Sequence, residues 1–177
     1  MFQRLEMSGS LRGAQFATKQ SPNCCGDCFG TKTVPRNDNK GKMRLAILAD
    51  IHANLPALEA VFADARQNRV EGFIVAGDHI NGGPHPNETM GMLRSLRKCW
   101  MIRGNTDDYL SKLGNGTAPV GWRTSHQWAA TRWSYQHFEK DHLNFVAALP
   151  GQGVVRWRDT APIRVVHGTP ASSGGDV

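Results

Sequence analysis

Three short apolar runs, each ending in residues able to bind a metal ion, constrain this chain more than any other feature. Residues 45–49 stop at Asp50-Ile51-His52, residues 73–76 stop at Gly77-Asp78, and residues 100–102 lead to Gly104-Asn105. Runs of this length, apolar throughout and separated by helical patterns, predict parallel strands buried on both faces. In such sheets, sites lie beyond the carboxyl ends of the strands. Side chains distant in sequence are therefore expected to converge. Asp50, His52, Asp78 and Asn105 offer carboxylate, imidazole and amide donors, a set that suits a divalent cation.

The intervening segments read as follows. Asn54 can cap a helix with Pro56 in its first turn, where a missing N–H does little harm, and Leu55, Leu58, Val61, Phe62 and Ala65 recur at helical spacing. A loop rich in Gly and Pro over 78–86 precedes a second predicted helix over 87–97, which buries Met90, Leu93 and Leu96. From 107 to about 122 the composition turns loop-like, with Gly114, Asn115, Gly116 and Pro119 in a short span. Helical spacing returns at Trp128, Thr131, Tyr135 and Phe138, with Trp133 nearby, and Asp141 can cap a short helix carrying Leu143, Phe145, Val146 and Leu149. These aromatics read as core, with a nucleobase-stacking platform as the alternative. Residues 153–157 and 163–166 read as strands around an Asp159-Thr160 turn, and the second ends at His167-Gly168. The element order predicts an α/β core whose sheet continues with antiparallel or mixed strands.

Composition bounds the rest. A chain of 177 residues with 40% hydrophobic and 20% charged residues fits one soluble domain. No apolar run approaches the roughly 20 residues needed to span a bilayer, and no secretory h-region opens the chain, so a cytoplasmic protein is expected. The net charge is +6, yet residues 1–42 hold seven Lys/Arg against Glu6, Asp27 and Asp38. The organised part is nearly balanced, and no specific nucleic-acid binding is expected. Residues 1–42 lack periodicity and are predicted to be a disordered basic extension, with Met43 as the natural start and 43–177 as the folded domain. Cys24, Cys25 and Cys28 cluster in that extension without the second ligand pair that a structural zinc site needs.

A two-metal hydrolytic site needs a carboxylate that bridges the ions, oxygen and imidazole ligands, and open positions for water and phosphate oxygens. Asp78 is the candidate bridge. Asp50 and His52 would hold one ion, and Asn105 and His167 the other.

DxH, GDxxxxG, GNxD and a later strand ending in HG, in that order, resemble the calcineurin-like metallophosphoesterase superfamily, most of all its small bacterial branch of YfcE-type phosphodiesterases. The resemblance covers residues 43–170. It implies mixed β-sheets flanked by helices around a dinuclear centre that hydrolyses phosphomonoesters or phosphodiesters with Mn, Fe, Zn, Ni or Mg. It carries over Asp50, His52, Asp78, Asn105 and His167 as metal ligands, with Asp78, Asn105 and Asp107 in the catalytic motifs. Many relatives place His where this chain has Thr106, and a Thr hydroxyl is a poor proton donor at neutral pH. The superfamily also closes with a GHxH motif, which nothing after His167-Gly168-Thr169-Pro170 matches. The chain is therefore expected to lack its last strands.

The expected function is a metal-dependent phosphoesterase, Mn²⁺ first among its ions, acting on a small phosphoester or nucleotide and not at a membrane. The alternatives are a non-catalytic scaffold of the same fold, or an inactive fragment of such an enzyme. His79 and His85 read as loop residues near the site. Arg103 fits either a phosphate contact or a salt bridge. Residues 30–33 form no P-loop, lacking its spacing and its flanking strand and helix.

Overall fold

The apolar runs at the centre of the chain are buried on both sides, as their unbroken hydrophobicity requires. The structure, a computed structural model, describes residues 2–7, 15–17, 43–158 and 160–172. Strands β1 (Phe2–Met7), β3 (Met43–Leu48), β4 (Gly72–Ala76) and β5 (Cys99–Ile102) form one sheet in the order β1-β3-β4-β5. β3, β4 and β5 run parallel, and β1 lies antiparallel to β3. A second, antiparallel sheet pairs β2 (Gln15–Ala17), β6 (Gln152–Arg156) and β7 (Ile163–Val166) in the order β2-β6-β7.

Strand alternation sends successive side chains to opposite faces. Leu45, Ile74, Trp100 and Ile102 face the second sheet and pack with Val155, Trp157 and Val165. Trp100 meets Trp157 edge to face, centroids 5.3 Å apart at 87°, a geometry worth about 0.5–1.5 kcal/mol beyond the area it buries. The other face carries Ala46, Leu48, Val75 and Met101. Against it pack Leu58 and Phe62 of α1 (Leu55–Gln67), Met90 and Leu93 of α2 (Pro86–Arg94), Leu110 of α3 (Asn105–Gly114), and Val146 of α6 (Lys140–Ala148). Between α3 and α6 lie the short α4 (Val120–Thr124), a 3-10 turn (His126–Trp128) and α5 (Ala129–His137). The layers are helices, sheet, sheet: an α/β sandwich of mixed sheets flanked by helices.

Local chemistry explains most boundaries. Asn54 caps α1, its side chain accepting from the Ala57 N–H at 3.2 Å, with Pro56 in the first turn. α6 is entered through Glu139, whose side chain makes no cap bond, and Asp141 instead pairs with Arg94 at 2.6 Å. The loop expected from residue 107 is in fact α3. Leu110 and Leu113, three residues apart, bury one face of it, and Asp107 and Asp108 stand in its first turn, where acidic groups favour the helix dipole. The later strands form a separate sheet stacked on the first; they do not extend it. Of residues 1–42, expected to be disordered, Phe2–Met7 and Gln15–Ala17 are strands, since the free edges of β3 and β6 offer backbone partners that composition does not reveal. The other residues of that extension, Cys24, Cys25 and Cys28 included, lie outside the described residues. Cys99 is a free thiol, and burial pushes it up to about 12, which leaves it un-ionised and inert at neutral pH. No helix among the described residues is long and apolar enough to cross a membrane.

Candidate metal centre

The carboxyl ends of β3 and β4 are held side by side by their turns. Past the strands the ladder continues: Asp50 N–H donates to the Gly77 carbonyl at 3.2 Å, His52 to Asp78 at 3.0 Å, and Ala53 to His79 at 2.9 Å. Asp50, His52, Ala53 and Asp78 take positive φ of 49–56°, a region that costs non-glycine residues energy and is least costly for Asp, Asn and His. The turns reverse tightly enough to aim the carboxylates and the imidazole at one point.

Two glycines let the third strand end approach. Gly77 has φ of +90°, and a Cβ there would sit 2.7 Å from the Gly104 backbone and 2.8 Å from His167 Nδ1. A Cβ on Gly104 would fall on the Asp78 carboxylate. Any larger residue at either position forces the site apart.

Asp78 is the hinge of the arrangement, 4% exposed, with its two oxygens facing opposite ways. Its Oδ2 lies 3.6 Å from His52 Nε2, which is 4.0 Å from Asp50 Oδ1. Its Oδ1 lies 3.4 Å from His167 Nε2 and accepts the Thr106 N–H at 3.0 Å. His167 Nε2 is also 3.0 Å from Asn105 Oδ1. Both imidazoles are oriented from behind: His52 Nδ1–H donates to the Asn81 carbonyl and His167 Nδ1–H to the Ala76 carbonyl, each at 2.7 Å. Each neutral ring therefore turns its Nε2 lone pair inward, which is how metal-binding histidines are fixed.

This donor set fits cations. Around His167 the lone pairs of Asp78 Oδ1, Asn105 Oδ1 and His167 Nε2 converge with no proton among them when the imidazole is neutral. A cation resolves that convergence. Ligands about 2.1 Å from a shared ion stand roughly 3–4 Å apart, and the separations above run from 3.0 to 4.0 Å. Asp50, His52 and Asp78 form a candidate metal-holding group, each offering an atom within 4.8 Å of the others.

Sequence reading placed Asp50, His52, Asp78, Asn105 and His167 at strand ends, and the structure brings them together. Asp107 differs from its expected catalytic place. Its side chain is fully buried; it accepts from the backbone N–H groups of Asp78 (3.0 Å), His79 (3.1 Å) and Gly104 (2.9 Å), and from His79 Nδ1 at 2.7 Å. Burial raises its pKa, but the charge of the adjoining His79, its hydrogen bond and the backbone N–H groups outweigh that and hold the carboxyl below its usual range. Asp107 is a positioning residue that clamps the β4 and β5 turns beneath the site. His79, a loop residue as expected, is its buried partner. Arg103 pairs with Asp108 at 2.5 Å and donates to the Ala147 carbonyl.

One contributor escaped the sequence reading. Asn105 Nδ2 donates to Tyr109 Oη at 3.1 Å, which turns Asn105 Oδ1 toward His167. Tyr109 is held edge-on by Trp122 and Trp128, whose rings stack 3.9 Å apart at 19°. The signal was the i, i+4 spacing of Asn105 and Tyr109, visible only once residues 105–114 are recognised as a helix.

The chain is similar to known proteins. A structure of a metallophosphoesterase from Sphaerobacter thermophilus is 30% identical, with a TM-score of 0.56 over 74% of this chain and 49% of that one. An uncharacterized protein of Methanocaldococcus jannaschii is 29% identical over 118 residues, 62% of this chain and 43% of its own length. The Escherichia coli phosphoesterase Yfce is a more distant likeness, 19% identical with a TM-score of 0.39 over 72% and 60% of the two chains. The chain thus spans about half the length, or less, of the first two. The family model for calcineurin-like phosphoesterases matches residues 43–172, the stretch that carries every residue of the centre, and the chain belongs to that family.

Proposed function

We propose that the five converging side chains hold two divalent cations, manganese first among them, and that the chain hydrolyses small phosphodiesters or phosphomonoesters. The observation that carries this reading is the two-sided Asp78 carboxylate, with Oδ2 toward His52 and Oδ1 toward His167. Bound there, a pair of ions would supply an acidified water and neutralise charge developing on the phosphoryl group. The chain's own residues prepare that chemistry. Asp50, His52 and Asp78 Oδ2 define one position; Asp78 Oδ1, Asn105 and His167 define the other. The Ala76 and Asn81 carbonyls hold the imidazoles in the tautomer that leaves Nε2 free.

Thr106 bears on which esters react. Its N–H is committed to Asp78, and its hydroxyl, enclosed without a partner among the described residues, cannot serve as a proton donor of useful acidity. Turnover should favour leaving groups that depart without protonation. Hydrolysis of bis-p-nitrophenyl phosphate by the Mn²⁺-loaded protein, compared with Asp78→Asn, is the test. Full activity in Asp78→Asn would remove the proposed bridge.

The near balance of charge over the organised residues supports small phosphoesters or nucleotides as substrates, with no specific nucleic-acid binding. A second reading, a metal-binding scaffold without turnover, is favoured by Thr106. Stoichiometric metal with no hydrolysis across a broad phosphoester panel would select it.

A further inference from the structure

Beside the centre lies an open cleft of about 630 Å³, bounded by the turn after β3 and by the loop that follows β4. Its volume falls within the range of roughly 300–1,000 Å³ typical of small-molecule sites. Asp50 and His52 form one wall, so the cleft opens directly onto the metal-binding side chains. Asn81, Pro84 and His85 of the loop after β4 and Asn54 also line it.

The loop is fixed in place while its side chains are left unused. The Asn81 carbonyl accepts from His52, Gly82 N–H donates to Ser134 Oγ at 3.1 Å, and a Cβ on Gly83 would collide with the His52 carbonyl. His85, half-buried, makes no side-chain hydrogen bond or ion pair among the described residues, and its side chain leaves α2 uncapped at the position it occupies. The Asn81 amide likewise has no protein partner among them, and its Oδ1 is enclosed. Polar side chains on a pinned backbone beside a reactive centre, unpaired in the protein, are the pattern of groups reserved for a ligand.

The lining also states what sort of ligand. No Lys or Arg faces the cleft among the described residues, and Asp50 does. A second phosphate would find no counter-charge there, while a long lipid chain would meet imidazole, amide and carboxylate. An uncharged group rich in hydroxyls and carbonyls, with a flat face to lie against the apolar lining of Ile51, Pro56 and Pro84, fits both constraints.

We propose that this cleft binds the organic part of the phosphoester, an uncharged, hydrogen-bonding group of nucleoside size, and that Asn81 and His85 are its specificity-determining contacts. The inference rests on the phosphoesterase reading and narrows its substrate class from small phosphoesters at large to esters that bear a single phosphoryl group.

The experiment compares the Mn²⁺-loaded full chain with His85→Ala and Asn81→Ala on two substrates, the p-nitrophenyl ester of thymidine 5′-monophosphate and p-nitrophenyl phosphate. Both share the leaving group, and only the first fills the cleft. The expected result is a fall of about tenfold in the ratio of kcat/KM for the nucleotidyl ester to that for p-nitrophenyl phosphate in each variant, carried by KM. An unchanged ratio in both variants would overturn the proposal. If the wild-type protein hydrolyses neither ester, the phosphoesterase reading fails by itself, and calorimetry of the Mn²⁺-loaded protein still decides the cleft. Thymidine 5′-monophosphate should then bind about tenfold more tightly than inorganic phosphate, with that margin lost in His85→Ala; equal affinities overturn the inference. Should Asn81→Ala fail to fold, His85→Ala alone carries the test.

Discussion

The two halves of the centre are built by opposite strategies. Asp50 and His52 stand in the turn after β3, bonded to the turn after β4, and their side chains are open, 56% and 41% exposed. Asn105 and His167 come from a helix start and from the strand end of a different sheet, and His167 is 11% exposed. The open half is fixed by backbone bonds between adjacent turns. The enclosed half depends on tertiary assembly, because β7 must stack on the first sheet before His167 meets Ala76. Under the proposed function the difference divides the labour: the enclosed half sets geometry, and the open half, facing the cleft, would admit substrate.

Asp78 is shared, so its loss should be the largest effect. Asp78→Asn keeps the shape but removes the bridging charge, and phosphoester hydrolysis should fall about a thousandfold or more. Metal content by mass spectrometry under native conditions should fall in step. A variant that keeps both ions would show that the halves do not depend on a common carboxylate.

Next in size is the contrast between the two histidines. His167→Ala leaves the Ala76 carbonyl without its partner in a largely enclosed place, and should cost about 1–3 kcal/mol of stability together with one ion. His52→Ala frees a carbonyl that water can reach, and should cost under about 1 kcal/mol while releasing the other ion. Thermal melts of the metal-free proteins, paired with metal calorimetry, measure both quantities. Equal melting losses would erase the distinction between open and enclosed halves.

That asymmetry also governed how much the sequence disclosed. Strand ends were legible because β3, β4 and β5 are buried on both faces, and only unbroken apolar runs such as residues 73–76 satisfy that. The ligands at those ends could then be named from their donor atoms. What stayed hidden was whatever depends on close approach between segments. Gly77 and Gly104 look like ordinary turn glycines until the backbones meet. Asp107, beside Asn105 in sequence, reads as one more acid of the site; only the fold turns it inward, where three backbone N–H groups and His79 surround it. α3 was missed because Gly114, Gly116 and Pro119 at its end outweighed the Leu110–Leu113 spacing. With that helix went the link from Asn105 to Tyr109. The strands within residues 1–42 were missed for a different reason, since edge pairing rests on backbone groups that every residue carries.

Tyr109 offers the smallest and most selective test of the enclosed half. In Tyr109→Phe the ring stays edge-on against the stacked Trp122 and Trp128, so packing and melting temperature should barely change. The Asn105 amide, however, loses the acceptor that holds Nδ2 away from His167. It is then free to turn and donate to His167 Nε2, a bond that competes with the metal for the same lone pair. Supporting partners of this kind are worth about 10–100-fold in metal affinity, and only the ion at Asn105 and His167 should be affected. Titration with Mn²⁺ should resolve one weakened and one unaltered affinity, and the side-chain amide resonance of Asn105 should shift in the metal-free protein. Tyr109→Ala, by contrast, removes a half-buried ring packed against two indoles and should lower stability by about 1–3 kcal/mol. If Tyr109→Phe weakens both ions alike, Asn105 is not held from this side, and the enclosed half owes its order to His167 and Asp78 alone.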